Sequence, residues 1–244
     1  MAVEARASAG VTADGTALAG AVIALDLDGT LVDTAPDLIG TLNWLLAGEG
    51  IAPLSLDEAR PFIGRGARWM IERGFQAADA PLAPDRVLPL FERFIARYET
   101  HIADESRPFP GAVAALETLK AQGAKLCVCT NKLTGLSTTL LDALDLSRLF
   151  DAVVGADATP AIKPDPRHIE AAVAACGGSI SRTVMVGDAA TDARAARAAR
   201  VPLILVSFGY TDIPARELAP DVLIDSFDQL PRACAQLLGA VGNS

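Results

Sequence analysis

Positive charge is in short supply in this chain. Lys and Arg number 21 against 30 Asp and Glu, a net charge of −9. That balance argues against a nucleic-acid backbone as partner, because such binding rests on Lys and Arg neutralising phosphates. Long apolar runs are missing too; none approaches the roughly 18 residues needed to span a bilayer. Residues 1–20, rich in Ala, Gly, Thr and Ser, have no basic start ahead of a long apolar core. They read as a loosely ordered extension and not as a secretory signal. Cysteine stands at four scattered positions, Cys127, Cys129, Cys176 and Cys234. No disulfide framework is implied, and a reducing cytoplasm is the expected compartment. Cys127 and Cys129 share one face of an apolar run with no Cys/His pair nearby, which reads as core packing and not as a metal site. The two histidines, His101 and His168, fall outside every motif below and read as structural or exposed.

The chain does contain an acidic doublet in an informative place. Ala21-Val22-Ile23-Ala24-Leu25 runs straight into Asp26-Leu27-Asp28-Gly29-Thr30. An apolar run ending at a turn signal predicts a buried strand. Alternation along an extended chain turns Asp26 and Asp28 the same way, at the strand's carboxyl end. Open α/β sheets bind ligands there. Two carboxylates so close call for a compensating cation or a shared proton. A hard divalent ion suits oxygen ligands, with one acid as nucleophile and the other moving protons. A pair of solvated acids in a surface turn is the alternative.

After Thr34-Ala35-Pro36-Asp37 a helix is expected, carried by Leu38, Ile39, Leu42, Leu45 and Leu46 and ended by Gly48 and Gly50. From about Leu54 to Ile102 the pattern stays helical, with Val87, Leu88, Phe91, Phe94, Ile95 and Tyr98 marking one amphipathic helix. Past Pro108-Phe109-Pro110-Gly111 strands and helices alternate. Strands are expected at 125–129, 152–155, 183–186, 203–207 and 222–224, and helices at 112–122, 134–144, 165–176, 192–200 and 228–238. That rhythm means βαβ units and a parallel sheet. The expected fold is therefore α/β: a Rossmann-like parallel core with helices on both faces, residues 21–33 and 108–244. A helical cap of residues 34–107 is inserted after the first strand, since an ordinary crossover needs far fewer residues.

Three more stretches carry candidate chemistry. Thr130-Asn131-Lys132 follows an apolar strand, where a hydroxyl and free amides suit a phosphoryl oxygen; a polar helix cap is the alternative. Lys163-Pro164-Asp165-Pro166 holds a lysine just outside a helix on a stiff segment, able to offset carboxylate and phosphate charge. Val184-Met185-Val186-Gly187-Asp188 is a second apolar strand ending in acid, with Asp192 four residues on. That pair suits a hard cation or a helix cap, or both at once.

The conjunction of these four stretches, in this order, resembles the haloacid dehalogenase superfamily over roughly Ala21 to Asp225. The resemblance implies a phosphotransfer site. Asp26 would be the nucleophile that becomes an aspartyl-phosphate, and Asp28 the general acid and then base. Mg²⁺ would be held by Asp26, the backbone carbonyl of Asp28, and Asp188. Thr130 and the Asn131 amide would bind the phosphoryl group and Lys163 would neutralise charge. Asp192 would hold metal-bound water or orient Lys163. The presence of Asp28 separates the chain from the carbon–halogen hydrolases of the superfamily, and Thr30 favours hydrolysis over the mutases. Phe62-Ile63-Gly64-Arg65-Gly66-Ala67-Arg68, Arg107-Pro108-Phe109-Pro110-Gly111, Thr130-Asn131-Lys132 and Phe208-Gly209-Tyr210 are similar to phosphoglycolate phosphatase-like enzymes. Arg65 or Arg68 could pair with a substrate carboxylate, and Arg65 is preferred. Ala189 departs from a common Ser, and Ala161-Ile162 before Lys163 is uncommonly apolar. The Arg194, Arg197, Arg200 series reads as a solvated face.

The implied activity is Mg²⁺-dependent hydrolysis of a small phosphate monoester, 2-phosphoglycolate first. The same chemistry on a sugar phosphate, pyrophosphate or nucleotide monophosphate is the alternative, as is a non-catalytic binding module on this fold. The expected partner is a small phosphorylated substrate, with no nucleic acid and no membrane, and the protein would be a monomer or homodimer.

Overall fold

The computed structural model describes residues 18–241. Residues 1–17 of the expected extension lie outside the described residues. Leu18 is buried, and its N–H donates to the Gln122 carbonyl at 3.0 Å.

Six strands form one parallel sheet: β1 (Val22–Leu25), β4 (Lys125–Cys129), β5 (Ala152–Val154), β6 (Thr183–Gly187), β7 (Leu203–Val206) and β8 (Val222–Ile224). Their spatial order is β5-β4-β1-β6-β7-β8. The chain starts in the middle, builds outward on one side, then returns and builds on the other. The strand order therefore reverses beside β1, and a crevice opens there at the carboxyl ends. In register, Leu25 of β1 lies between Val128 of β4 and Val186 of β6, so the residues just past these three strands converge on one spot.

The sheet is buried on both faces, which is why its strands are apolar throughout and not alternating. Ile23, Leu25, Leu126, Val128, Val184 and Val186 pack on one face, with α5 (Ala112–Ala121), α6 (Thr134–Ala143) and α9 (Leu230–Val241). Ala24, Cys127, Cys129, Met185 and Leu205 pack on the other, with α7 (Pro166–Ala175) and α8 (Ala190–Ala199). Cys127 and Cys129 are core residues, as expected. The helix expected at 192–200 begins two residues sooner, at Ala190. The reason is electrostatic: the Asp192 carboxylate reaches back to the Ala189 N–H at 3.0 Å and the Asp188 N–H at 3.3 Å, satisfying donors that the helix start leaves open.

Four α-helices fill residues 34–107, between the first sheet strand and α5: α1 (Ala35–Gly48), α2 (Leu56–Ala59), α3 (Ala67–Ala77) and α4 (Pro84–Glu99). Two short strands that the sequence pattern does not reveal, β2 (Val32–Asp33) and β3 (Arg107–Pro108), pair antiparallel where the chain enters and leaves this segment. Two residues are too few for a periodicity to register. The Asp37 carboxylate locks the same crossing by accepting from the Ser106 N–H at 2.8 Å and from its hydroxyl at 2.6 Å. In α4 the inward face is Val87, Leu90, Phe94 and Tyr98. Leu88, expected on that face, is 51% exposed, and Leu90 takes the inward position. Both 87, 90, 94, 98 and 88, 91, 95, 98 repeat every three or four residues, so periodicity permits either stripe and packing turns Leu90 inward and Leu88 outward. No helix among the described residues is long and apolar enough to cross a membrane.

Candidate active site

The sequence-predicted acids and cations come together at the reversal point. Asp26 follows β1 directly, and its N–H continues the ladder to the Val186 carbonyl at 2.9 Å. Lys163 lies wholly inside, its Nζ 2.9 Å from Asp26 Oδ1 and 2.7 Å from Asp192 Oδ1. Carboxylate oxygens of Asp26, Asp188 and Asp192 all lie within 4.8 Å of one another, and the three residues are buried. Thr30 donates its hydroxyl to Asp188 Oδ1 at 3.0 Å, and the Tyr210 N–H donates to Asp188 Oδ2 at 2.7 Å. Glycine is required at two places around this acid. Gly29 has φ +80, and a Cβ there would sit 2.7 Å from Asp188 Oδ2. A Cβ at Gly209 would come within 2.1 Å of the Asp188 Cβ.

This arrangement is short of positive charge. Burial pushes the Asp188 carboxyl up to about 8, and the neighbouring Asp192 and Asp26 add to it. Burial also pushes Asp26 up to about 6, although Lys163 pulls it back. Burial works against the charge on Lys163, but Asp192 and Asp26 outweigh it and hold the ammonium above the ordinary lysine range. One lysine pairs with two of the three acids, all the acids' free atoms are oxygens, and all three residues are buried. That donor set suits a hard divalent cation.

Asp28 has a different setting. Its carboxylate receives the Lys132 ammonium at 2.9 and 3.2 Å and the Thr34 hydroxyl at 2.8 Å. Thr34 precedes α1, yet its hydroxyl serves Asp28 and makes no cap bond. Lys132 also donates to the Tyr98 hydroxyl at 3.0 Å, so a residue of α4 is tied to the sheet edge. Thr130 is buried and accepts from the Lys132 N–H at 3.2 Å. The Asn131 side chain donates to the Gly64 carbonyl at 3.1 Å and to the Lys163 carbonyl at 3.0 Å, joining the loop before α3 to the core.

Above these groups lies a cavity of about 320 Å³ between sheet edge and helical segment. Asp26, Asp28, Thr130, Asn131 and Lys132 form its polar floor, and Leu38, Met70, Phe91, Phe94 and Ile95 are among its apolar walls. Arg65 and Arg68 also line it, and both are exposed. The Arg65 guanidinium lies over the Trp69 ring at 3.7 Å.

Sequence reasoning missed several contributors. The sequence assigns Lys132 no role beyond its place in Thr130-Asn131-Lys132, and the helical pattern predicts Tyr98 only as an apolar position on α4. His168 is buried, accepts the Lys163 N–H on Nδ1 at 3.2 Å and meets the Val154 carbonyl at 3.2 Å through Nε2. Burial, helped by Lys163, pushes this imidazole down to about 4, so it is the neutral brace of the lysine segment. Its place five residues after Lys163, on the inward face of α7, was the available signal. His101 is half-buried and next to Thr100, away from the cavity. Arg194, Arg197 and Arg200 are exposed, as expected.

Comparison with known proteins places the chain among relatives. Residues 23–206 match the haloacid dehalogenase-like hydrolase family. The chain is 59% identical over 221 residues to a phosphoglycolate phosphatase of Caulobacter vibrioides, covering 91% of this chain and 93% of that one. A phosphoglycolate phosphatase of Agrobacterium fabrum is 46% identical over 217 residues, covering 89% and 93%. Among solved structures, a protein of Haemophilus somnus described as a predicted phosphoglycolate phosphatase superposes with a TM-score of 0.81 at 29% identity, over 88% of this chain and 98% of that one. With its acid doublet, strand-end threonine, buried lysine and second acid pair converging on one crevice, the chain belongs to the haloacid dehalogenase-like hydrolases.

Proposed function

We propose that the protein is a Mg²⁺-dependent phosphatase that hydrolyses 2-phosphoglycolate to glycolate and phosphate. The observation that carries this reading is the division of labour at the crevice. Asp26 sits in a cation-hungry acid cluster while Asp28, at the same cavity, is held apart by Lys132. The 59% identity to a phosphoglycolate phosphatase supports the substrate.

In this reading Asp26 attacks phosphorus, and the bond from phosphorus to the ester oxygen breaks. Asp28 gives its proton to that oxygen, and glycolate leaves. Asp28 then takes a proton from water as the water oxygen attacks the aspartyl-phosphate, which frees Asp26 and inorganic phosphate. Thr130 and the Asn131 N–H bind phosphoryl oxygens; that N–H has no protein acceptor among the described residues. Lys163 holds Asp26 in place and offsets phosphoryl charge, with Asp192 orienting the ammonium. Asp26, Asp188 and the Asp28 carbonyl would hold Mg²⁺, with Asp192 beside them. When bound, the ion supplies charge neutralisation between carboxylate and phosphate. The helical segment, residues 34–107, acts as a cap that shields the cavity from water. Arg65, exposed on the cavity wall, draws an ester bearing both phosphate and carboxylate charge toward it. The four free thiols support a cytoplasmic setting.

The test is phosphate release from a panel of small esters with and without Mg²⁺. A preference for 2-phosphoglycolate that chelation abolishes is expected. Uniform activity across sugar phosphates, pyrophosphate and nucleotides would remove the named substrate.

A further inference from the structure

We infer that Lys132 and Tyr98 form the substrate's carboxylate site, so that the enzyme selects esters bearing a carboxylate on the carbon next to the ester oxygen. This deepens the proposed function and rests on its assignment of Asp28 as the proton donor to that oxygen.

The argument begins with distance. In an ester of this class the carboxylate carbon is two bonds from the ester oxygen. Wherever Asp28 delivers its proton, the carboxylate must therefore lie immediately beside Asp28. The cation at that spot is Lys132, with Nζ 2.9 and 3.2 Å from the two Asp28 oxygens. Arg65 and Arg68 line the same cavity but are exposed, and Arg65 lies flat on Trp69. Lys163 is committed to Asp26 and Asp192.

Donor capacity comes next. An ammonium has three N–H groups and a tyrosine one O–H. Lys132 uses its donors on Asp28 and on the Tyr98 oxygen at 3.0 Å. The Tyr98 hydroxyl hydrogen has no acceptor among the described residues. Burial pushes that phenol up to about 12, so it is a neutral donor. The 2.9 and 3.2 Å contacts to the two Asp28 oxygens can be served by one forked N–H, which leaves the third N–H of Lys132 and the Tyr98 hydroxyl to offer two hydrogen bonds to one carboxylate, the ammonium from the core side and the hydroxyl from α4. The surrounding walls are apolar: Leu38, Phe91, Phe94 and Leu136 line the cavity but give a charged group no partner. In such surroundings a charge-assisted hydrogen bond is strong and an unpaired carboxylate is penalised. The site therefore rewards the carboxylate and gives a neutral group of the same size nothing in return. Because Tyr98 belongs to the helical segment, the carboxylate would also join that segment to the catalytic floor.

The experiment compares kcat/KM for 2-phosphoglycolate, 2-phospholactate and 2-phosphoglycolamide, the size-matched ester whose tail is neutral, in wild type, Lys132→Met and Tyr98→Phe. In wild type the carboxylated esters are favoured. Lys132→Met is expected to reduce the ratio of carboxylated to neutral ester by about 10- to 100-fold, the range of a lost charged hydrogen bond. Tyr98→Phe should lower the same ratio several-fold, and this smaller change serves if Lys132→Met does not fold. Equal slowing on all three esters would overturn the inference and leave Lys132 as a positioning residue for Asp28, with the phosphatase reading intact. A wild-type preference for 2-phospholactate over 2-phosphoglycolate, with the preference for carboxylated esters still lost in Lys132→Met, would uphold the inference and remove the named substrate. Indifference of the wild type to the carboxylate would overturn both.

Discussion

Asp26 and Asp28 are two residues apart in one motif, and the fold gives them opposite surroundings. Asp26 shares Lys163 with Asp192 and stands within reach of Asp188, so its end of the site has more acid than the lysine can balance. Asp28 has Lys132 to itself and a threonine hydroxyl besides. One carboxylate is placed where a divalent ion is wanted, the other where the charge is already matched. The lesson is that a carboxylate's task is set by its counter-charges, and here they arrive on different segments: Lys163 before α7, Lys132 after β4. Neither lysine is adjacent to the aspartate it serves.

The largest test of this contrast is Asp26→Asn. Loss of the nucleophile should cut turnover by at least about a thousandfold, with an unchanged circular dichroism spectrum. Near-normal turnover by a folded variant would take the nucleophile's role from Asp26.

Next in size is a ranking of the two lysines by stability. Lys163→Met strands two buried carboxylates and should cost about 3 to 5 kcal/mol in chemical denaturation. Lys132→Met strands one, which keeps the Thr34 hydroxyl, and should cost less. The reverse order would break the comparison.

A pH experiment sharpens it. Without a divalent ion, Asp26 and Asp188 titrate near about 6 and about 8 in the folded protein against 3.8 in an ordinary Asp. The folded state then binds protons that the unfolded chain has released, so these two groups reduce stability progressively as pH rises from near 4 to near 8. Mg²⁺ binds the deprotonated acids. Its stabilisation in thermal melts should be greater at pH 8.5 than at pH 5.5. An equal gain at both values would mean that the acid cluster is not where the ion binds.

The smallest expected effect is at His168. Replacing it with Phe leaves the Lys163 N–H without a partner in the core, while the Val154 carbonyl keeps the Thr130 N–H at 3.1 Å, and should cost about 2 kcal/mol. Turnover should fall only a few-fold, because Lys163 keeps both of its ion pairs. A loss as large as that of Lys163→Met would make the imidazole more than a brace.

Much of this was written in local pattern. Two apolar strands ending in Asp26 and Asp188, a strand ending in Thr130 and a proline-framed Lys163 mark the site because strand ends in a parallel sheet converge, whatever the loops do. The six sheet strands were legible for the same reason: buried on both faces, they are runs of Val, Ile, Leu and Ala. The helices of residues 34–107 were legible less well. Leu88 and Leu90 are equivalent in composition, and only packing turned one outward and the other inward. The short β2–β3 pair was invisible because pairing between residues 32–33 and 107–108 leaves no local periodicity.

Local chemistry therefore determined the acids, the strand-end threonine and the sheet that gathers them, since burial and alternation act over a few residues. Pairings across long sequence separations belong to the tertiary structure. Lys132 with Asp28 and Tyr98, Asn131 with Gly64, and His168 behind Lys163 exist because the helical segment folds back over the crevice and α7 packs beneath it. A buried charge must find its partner in space, and nothing in the neighbouring residues states where that partner will be.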